Sequence, residues 1–443
     1  MSYQAAIEEL NAMTPELYAR PGQPRRKFSL EEIGVLLSEL GDPQRRVPSL
    51  LIAGTNGKGS TASTLASILK SCGIRAGLYT SPHLARVNER IRIGEEEIAD
   101  DDFARLFFRV LDAAKRLLLE GSLPQLPSFF EVLTALALLH FAEADVELAV
   151  LEVGMGGRLD ATNIVNPLIS VITDISLDHM EWLGSTIAEI TREKAGILRR
   201  SGTMITLPQL EEANRTLGEI ATELNVRGVN ASVYMPATGA ETEDPYEIEV
   251  LDERIEVASP LHGLHQRRNV ALAIASAVEL KSTHGLPITP AGIAKGIRRT
   301  RWPGRLEHLE INRTEWILDV AHNPAGAWAL RAGLRWLEAK RPRTLIFSCL
   351  RDKPVTEMAQ ILFPLFEQVI LAPIRSSRAA AMEDLEATAR ATGSMAMKAE
   401  SVRQAIEWAR EHSMGGVVVV SGSVYLVGEA RSLLLNERPG GIE

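Results

Sequence analysis

Residues 50–74 read LLIAGTNGKGSTASTLASILKSCGI: an apolar run, a glycine-rich turn, then small residues with helical spacing. A strand, a tight turn and a helix in that order make a phosphate cradle. Glycines let backbone N–H groups converge on an anion, the helix N-terminus adds positive potential, and a lysine neutralises terminal phosphates. Gly54, Gly57 and Gly59 are the glycines, Lys58 is the cation, and Ser60 or Thr61 offers a hydroxyl to Mg²⁺. The strict pattern of glycine, four residues, glycine, lysine and Ser or Thr is not met, because position 52 is Ile and position 59 is Gly. The turn is a variant, and on these residues alone a strand-to-helix turn without a ligand stays open.

Working outward, strands alternate with helices, which argues for α/β layers with mainly parallel sheets. SLLIAG and RAGLYTS read as buried strands flanking a helix from about Lys58 to Cys72; VELAVLEVG and LISVITDI are two more. SFFEVLTALALLHFAEA, residues 128–144, has helical length and spacing. Residues 229–258 break the alternation: ASVYMP and YEIEVLDERIEVAS predict a small antiparallel excursion, with the acidic GAETED as an exposed loop. A long helix follows and ends at Gly285. RRTRWPGRLE marks the boundary, with Pro303 and Gly304 stopping the preceding helix, and a second alternating series follows. The expected fold is α/β: a P-loop-type parallel-sheet ATPase domain over residues 1–299, then a smaller Rossmann-like α/β domain over 300–443.

Composition narrows the function. A length of 443 residues with 45% apolar and 24% charged residues suits two or three domains with sizeable cores. The two cysteines, Cys72 and Cys349, lie in apolar periodic stretches, so a reducing compartment is expected rather than a disulfide framework. The first residues lack a basic and apolar leader, and no apolar run approaches the roughly 18 residues of a membrane span. A cytoplasmic protein without membrane partners follows as the expectation. The net charge of −9 counts against nucleic acid. A small anionic substrate would need a local basic cluster, which Arg86, Arg90 and Arg92 supply; the plainer reading is a solvated charged segment.

Four strand ends carry polar or glycine-rich loops. Besides the phosphate loop they bear Ser81 in YTSPHL, Glu152 before GMGGRLDATN, and His179 in DISLDHMEWLG. Ligands in open α/β sheets collect at such ends, and Mg²⁺ wants oxygen donors. Taken singly, each has an ordinary reading as a turn, loop or structural residue.

The motifs AGTNGKGS, YTSPHLARVNERIRI, LEVGMGGRLDATN, ITDISLDHMEWLGSTIAEITREKAGI, GLHQRRNVALAI, RWPGRLE and LDVAHNPAG, in this order, resemble the folylpolyglutamate synthase and dihydrofolate synthase family of the Mur-ligase superfamily. The resemblance runs from about residue 28 to residue 428. It implies that Gly54, Thr55, Asn56, Gly57, Lys58, Gly59 and Ser60 form the ATP phosphate loop, with Asn269, Arg305, Asp319 and His322 as further ATP contacts. It implies two Mg²⁺ sites drawn from Ser60, Ser81, Glu152, His179 and Lys194, with Lys194 carried as a carbamate. Catalytic roles fall to Lys58, His179 and Lys194. The pterin end is expected at Phe28, Ser29 and Leu30, at Ser128, Phe129, Phe130 and Glu131, and at Leu159, Asp160 and Ala161. One departure is Pro354 in LRDKP, where relatives often continue with an acid.

The implied activity is an ATP-dependent amide ligase. A carboxylate of dihydropteroate or a reduced folate attacks the γ-phosphate, and the amine of L-glutamate then displaces phosphate from the acyl phosphate. A monomer is expected. A Mur-type ligase acting on a cell-wall nucleotide peptide, a non-catalytic nucleotide-binding switch and a small-molecule kinase remain as rivals at this stage.

Overall fold

The computed structural model describes residues 2–13, 29–236, 245–334 and 340–436. The apolar run that opens the phosphate-loop stretch is a strand, Ser49–Ala53, buried at every residue and placed well inside a large sheet. In chain order that sheet comprises β1 (Ser49–Ala53), β2 (Ala76–Tyr79), β3 (Ile91–Ile93), β4 (Glu96–Glu97), β5 (Leu148–Glu152), β6 (Ile169–Ile172), β7 (Thr203–Thr206) and β8 (Arg227–Asn230). In space they run β4-β3-β2-β5-β1-β6-β7-β8. From β2 to β8 every neighbouring pair is parallel, and β3 and β4 add antiparallel pairings at one edge.

Strands covered on both faces read as continuous apolar runs, which is why these were visible in the sequence. Within β1 the alternation still divides the cores. Leu50 and Ile52 join one core with Leu65 and Ile68 of the helix Lys58–Ser71 and Ile274 of the helix Leu264–His284. Leu51 and Ala53 join the other, with Phe103, Phe107 and Leu136 from the helices Asp100–Leu119 and Phe129–Glu143.

A second sheet follows, made of β11 (Glu307–Ile311), β12 (Thr314–Asp319), β13 (Arg343–Phe347), β14 (Gln368–Leu371), β15 (Ala396–Lys398) and β16 (Val417–Ser421), in the order β11-β12-β16-β13-β14-β15. All its pairs are parallel except β11 with β12. Between the two sheets in sequence lies the hairpin of β9 (Tyr246–Val250) and β10 (Glu253–Val257).

Two local expectations need correction. ASVYMP is not a strand: Ala231–Tyr234 form a 3₁₀ turn, because the Asn230 side chain accepts the Ser232 N–H and closes the chain locally. The helix before the boundary ends at Arg299, ahead of Pro303, where Thr300 turns extended and the Arg301 carbonyl accepts the Ser63 hydroxyl at 3.0 Å. The GAETED segment, residues 239–244, lies outside the described residues. Cys72 and Cys349 are free thiols, and among the described residues no helix is long and apolar enough to cross a membrane.

Candidate active site

The strands β2, β5, β1 and β6 are consecutive neighbours and parallel, so their C-terminal ends lie side by side. Ile52 of β1 is level with Glu152 of β5 and Val171 of β6. That single topological fact brings the phosphate loop, Ser81, Glu152 and the loop leading to His179 to one edge. The second sheet presents the ends of β12, β16 and β13 to the same cleft, through Asp319 to His322, Gly422 to Tyr425 and Lys353.

Two adjoining cavities occupy the cleft. One is lined by residues 54–60, with Glu152, His179, Lys194, Asn269, Arg305, Asp319 and His322. The other is lined by Ser29, Ser128, Phe130, Glu131 and residues 154–161. They meet at Ser81, Gly154, His179, Arg305 and His322, which face both.

The phosphate loop is shaped by close packing. Gly57 caps the helix Lys58–Ser71 in the left-handed region, φ 88°, with no side chain on the first amides. A Cβ at Gly57 would fall 2.1 Å from Asn269 Oδ1, and one at Gly59 would fall 2.6 Å from the Trp302 indole. The indole of RWPGRLE therefore explains why position 59, which breaks the usual pattern, carries no side chain. Lys58 Nζ donates to the Gly54 and Thr55 carbonyls at 3.1 and 3.2 Å. Lys194, buried on the helix Ile187–Ala195, donates to the same Gly54 carbonyl at 2.8 Å. Burial, and then the neighbouring Lys58, bring the Lys194 ammonium down to about 7.

Glu152 is buried, and Oε2 accepts the Ser81 N–H at 3.1 Å. Burial raises its carboxyl above the usual range, while Lys58, the Ser81 amide and Arg305 pull the other way. His179 sits in the left-handed region, φ 50°. Burial lowers both His179 and His322 to about 4, so both imidazoles are neutral at neutral pH, the form that binds metals. Asp319 holds the turn ahead of His322 by accepting the Leu306 and Ala321 amides, each at 2.9 Å.

The other cavity also has internal supports. Ser128 and Glu131, both expected at the pterin end, form a reciprocal capping box on the helix Phe129–Glu143, at 3.2 and 2.7 Å, which the S-x-x-E spacing signals. Phe130 lines the cavity and packs over Gly154, whereas Phe129 does not line it and lies under the Arg90 guanidinium at 5.2 Å. Asp160 accepts the Thr162 hydroxyl at 2.6 Å and the Met155 N–H at 2.9 Å, fixing the glycine loop. Leu30 packs against the core beneath, and Phe28 lies outside the described residues. Of the basic cluster, only Arg90 faces the cavity; it donates to His83, whose imidazole burial lowers to about 4.

Three polar residues joining the lobes escaped the sequence reading, or entered it without a role. Asp178 accepts from Lys353 Nζ at 2.7 Å and from Asn323 Nδ2 at 3.2 Å; Asn323 also donates to Asn56 of the phosphate loop at 3.1 Å. Burial alone would raise the Asp178 carboxyl, but His179, Lys353 and His322 hold it well below the usual carboxylate range. Lys353 is 175 residues from its partner, a separation no local pattern reveals.

The Mur ligase middle domain model matches residues 52–277, and the Mur ligase glutamate ligase domain model matches 304–424. The chain is 33% identical to a folylpolyglutamate synthase of Lacticaseibacillus casei, over 98% of this chain and 99% of that one. It is 35% identical to a dihydrofolate synthase/folylpolyglutamate synthase of Mycobacterium tuberculosis, over 91% and 90%. A solved structure of Mycobacterium tuberculosis folylpolyglutamate synthase complexed with ADP superposes with a TM-score of 0.86 at 32% identity, covering 98% of each chain. These likenesses span both lobes, and the chain belongs to the folylpolyglutamate synthase and dihydrofolate synthase family of ATP-dependent Mur ligases.

Proposed function

We propose that this ligase joins L-glutamate to dihydropteroate, to reduced folates or to both, in the cytoplasm and as a monomer, with the division at residues 299/300 separating an ATP lobe from a glutamate-ligase lobe. The continuity of the two cavities carries this reading. A triphosphate laid along residues 54–60 would end at Ser81, His179 and Arg305, where a flat acceptor held beside Phe130 and the glycine loop would present its carboxylate. A relative solved as an AMPPCP-folate complex, with a TM-score of 0.82 at 29% identity, supports that pairing of ligands.

The chemistry follows from charge. An acceptor carboxylate approaching a polyphosphate meets a repulsion of about 4 kcal/mol per pair of unit charges at 4 Å near a protein surface. Lys58 and Arg305 face that meeting point and offset it. The carboxylate oxygen then forms a bond to the γ-phosphorus as the bond to ADP breaks. The glutamate amine adds to the acyl carbon, loses a proton and expels phosphate. Lys353, paired with Asp178, and Arg378, paired with Asp352 at 2.6 Å, line the second-lobe side of the cavity, where the incoming amino acid would approach. Closure of the lobes, held by Asp178, Asn323 and Lys353, keeps water from the acyl phosphate.

The donors suit magnesium: a buried carboxylate at Glu152, hydroxyls at Ser60 and Ser81, and a neutral imidazole at His179. On this reading Ser60, Ser81 and Glu152 would hold one Mg²⁺ and His179 with Lys194 a second, which would supply positive charge to offset the phosphates. Lys194 as an ammonium would repel a cation; addition of CO₂ to its amine, with loss of a proton, gives a carbamate oxygen instead.

The test is phosphate release with ATP, Mg²⁺ and L-glutamate, comparing dihydropteroate with a reduced folate as acceptor. Release that needs both glutamate and one of these acceptors is the expected result. Release indifferent to glutamate, or supported only by uridine-linked cell-wall peptides, overturns the reading.

A further inference from the structure

The phosphate loop is tied to a second loop, that of Asp174, which lines the same cavity. Thr55 and Asn56 both donate their N–H to the Asp174 carbonyl, at 2.8 and 3.2 Å, and Asn56 pairs with Asp174 as an isolated antiparallel bridge. Asp174 thus sets the direction in which the loop leaves β1. Its carboxylate is gripped in turn by Arg268. Nε lies 2.9 and 3.0 Å from the two oxygens, and Nη2 lies 2.6 Å from Oδ1. The same Nη2 donates to the Pro208 carbonyl at 2.8 Å.

Arg268 stands one residue before Asn269, near the start of the helix Leu264–His284. Asn269 Oδ1 occupies the space beside Gly57, and Asn269 Nδ2 donates to Gln266 Oε1 at 2.8 Å. Gln266 and Asn269 line the nucleotide cavity with the loop. One guanidinium fork therefore ties together the loop after β6, the phosphate loop and the helix start that flanks it.

We propose that Arg268 is a positioning residue for the nucleotide: acting through Asp174, it keeps residues 54–57 in register with Gln266 and Asn269. The inference rests on the nucleotide site of the function proposed above. The pair is part-exposed, with side chains 27% and 38% accessible, so it adds little to global stability. Its contribution is geometric, and a planar fork is what a lysine cannot reproduce. Backbone donors displaced by a fraction of an ångström lose their aim at a bound phosphate.

The experiment compares wild type with Arg268→Ala, Arg268→Lys and Asp174→Asn in the full chain, measuring ADP affinity by titration calorimetry, KM for ATP and for the acceptor, kcat and thermal midpoint. Arg268→Ala is expected to weaken ADP and raise KM for ATP about tenfold, with kcat and the acceptor KM within about twofold. Arg268→Lys is expected to fall between, and the double variant Arg268→Ala with Asp174→Asn to lose no more than the worse single one. ADP affinity within twofold of wild type in Arg268→Ala, or losses that add in the double variant, overturns the inference while leaving the function standing. If Arg268→Ala fails to fold, the positioning role is wrong in its claim of little structural weight, and Arg268→Lys with Asp174→Asn decide whether the nucleotide is affected at all. A wild-type chain that binds no ADP rejects the function and this inference together.

Discussion

Lys58→Ala is expected to lower ATP-, glutamate- and acceptor-dependent phosphate release by about a thousandfold or more, a loss near 4 kcal/mol of transition-state stabilisation. The side chain starts the helix Lys58–Ser71, whose first amides have no side-chain cap and whose first residues line the cavity proposed to hold the nucleotide. Alanine keeps the backbone N–H groups but removes the Lys58 charge from the cavity, together with its bonds to the Gly54 and Thr55 carbonyls. Helix propensity favours alanine slightly, and the position is only half-buried, so the thermal midpoint should hardly move. The loss should appear in kcat more than in the affinity for ADP, because charge builds on the γ-phosphate only during transfer. Turnover near that of wild type in this variant would remove the phosphate loop from the reaction.

Lys194 gives the second large effect. On the proposed reading its amine takes up CO₂, which requires the uncharged form. A lysine near 10.5 is almost wholly protonated at neutral pH, whereas burial, and then Lys58, bring Lys194 down to about 7, which favours the uncharged amine that reacts. Acidification below about pH 7 protonates the amine and removes the form that reacts. Lys194→Ala should lower turnover about a hundredfold or more, and acetate or propionate, supplying a carboxylate to the vacated space, should restore part of it. Lys194→Arg keeps a charge and cannot react with CO₂, so it should be as inactive as alanine. Full activity in the arginine variant, or no response of the alanine variant to any short carboxylate, would contradict the carbamate.

The parts of the fold that were legible in the sequence are those with a strong local cause. Strands β1, β2, β5 and β6 are short apolar runs because both their faces are covered, and the residues after them stand out as glycine-rich or polar. Strand β11, EHLEI, went unread. It buries only Leu309 and Ile311 and turns His308 and Glu310 outward, and its short alternation merges with the preceding linker. Ala231–Tyr234 misled in the opposite direction, since a β-branched residue and an aromatic one in a row resemble a strand until the Asn230 side chain closes a turn.

The candidate site divides in the same way. Lys58, Ser81, Glu152 and His179 announce themselves by following strands, and parallel order then places them together. The residues that aim and join the parts do not. Asp178 with Lys353, and Asp174 with Arg268, are 175 and 94 residues apart, and each reads locally as an ordinary surface charge. The SFFE motif shows the converse. Its residues lie where the acceptor is proposed to bind, yet Ser128 and Glu131 are engaged with each other's backbone amides, leaving Phe130 as the member whose ring lines the cavity.

The account depends on an acceptor carboxylate attacking the γ-phosphate in the cleft between the lobes. Carrying out the reaction with an acceptor labelled with ¹⁸O in its carboxylate, and analysing the released phosphate by mass, tests that step directly. Transfer of one labelled oxygen to each phosphate is the predicted result. Unlabelled phosphate, released at the same rate as amide product, would show that no acyl phosphate forms and would contradict the account.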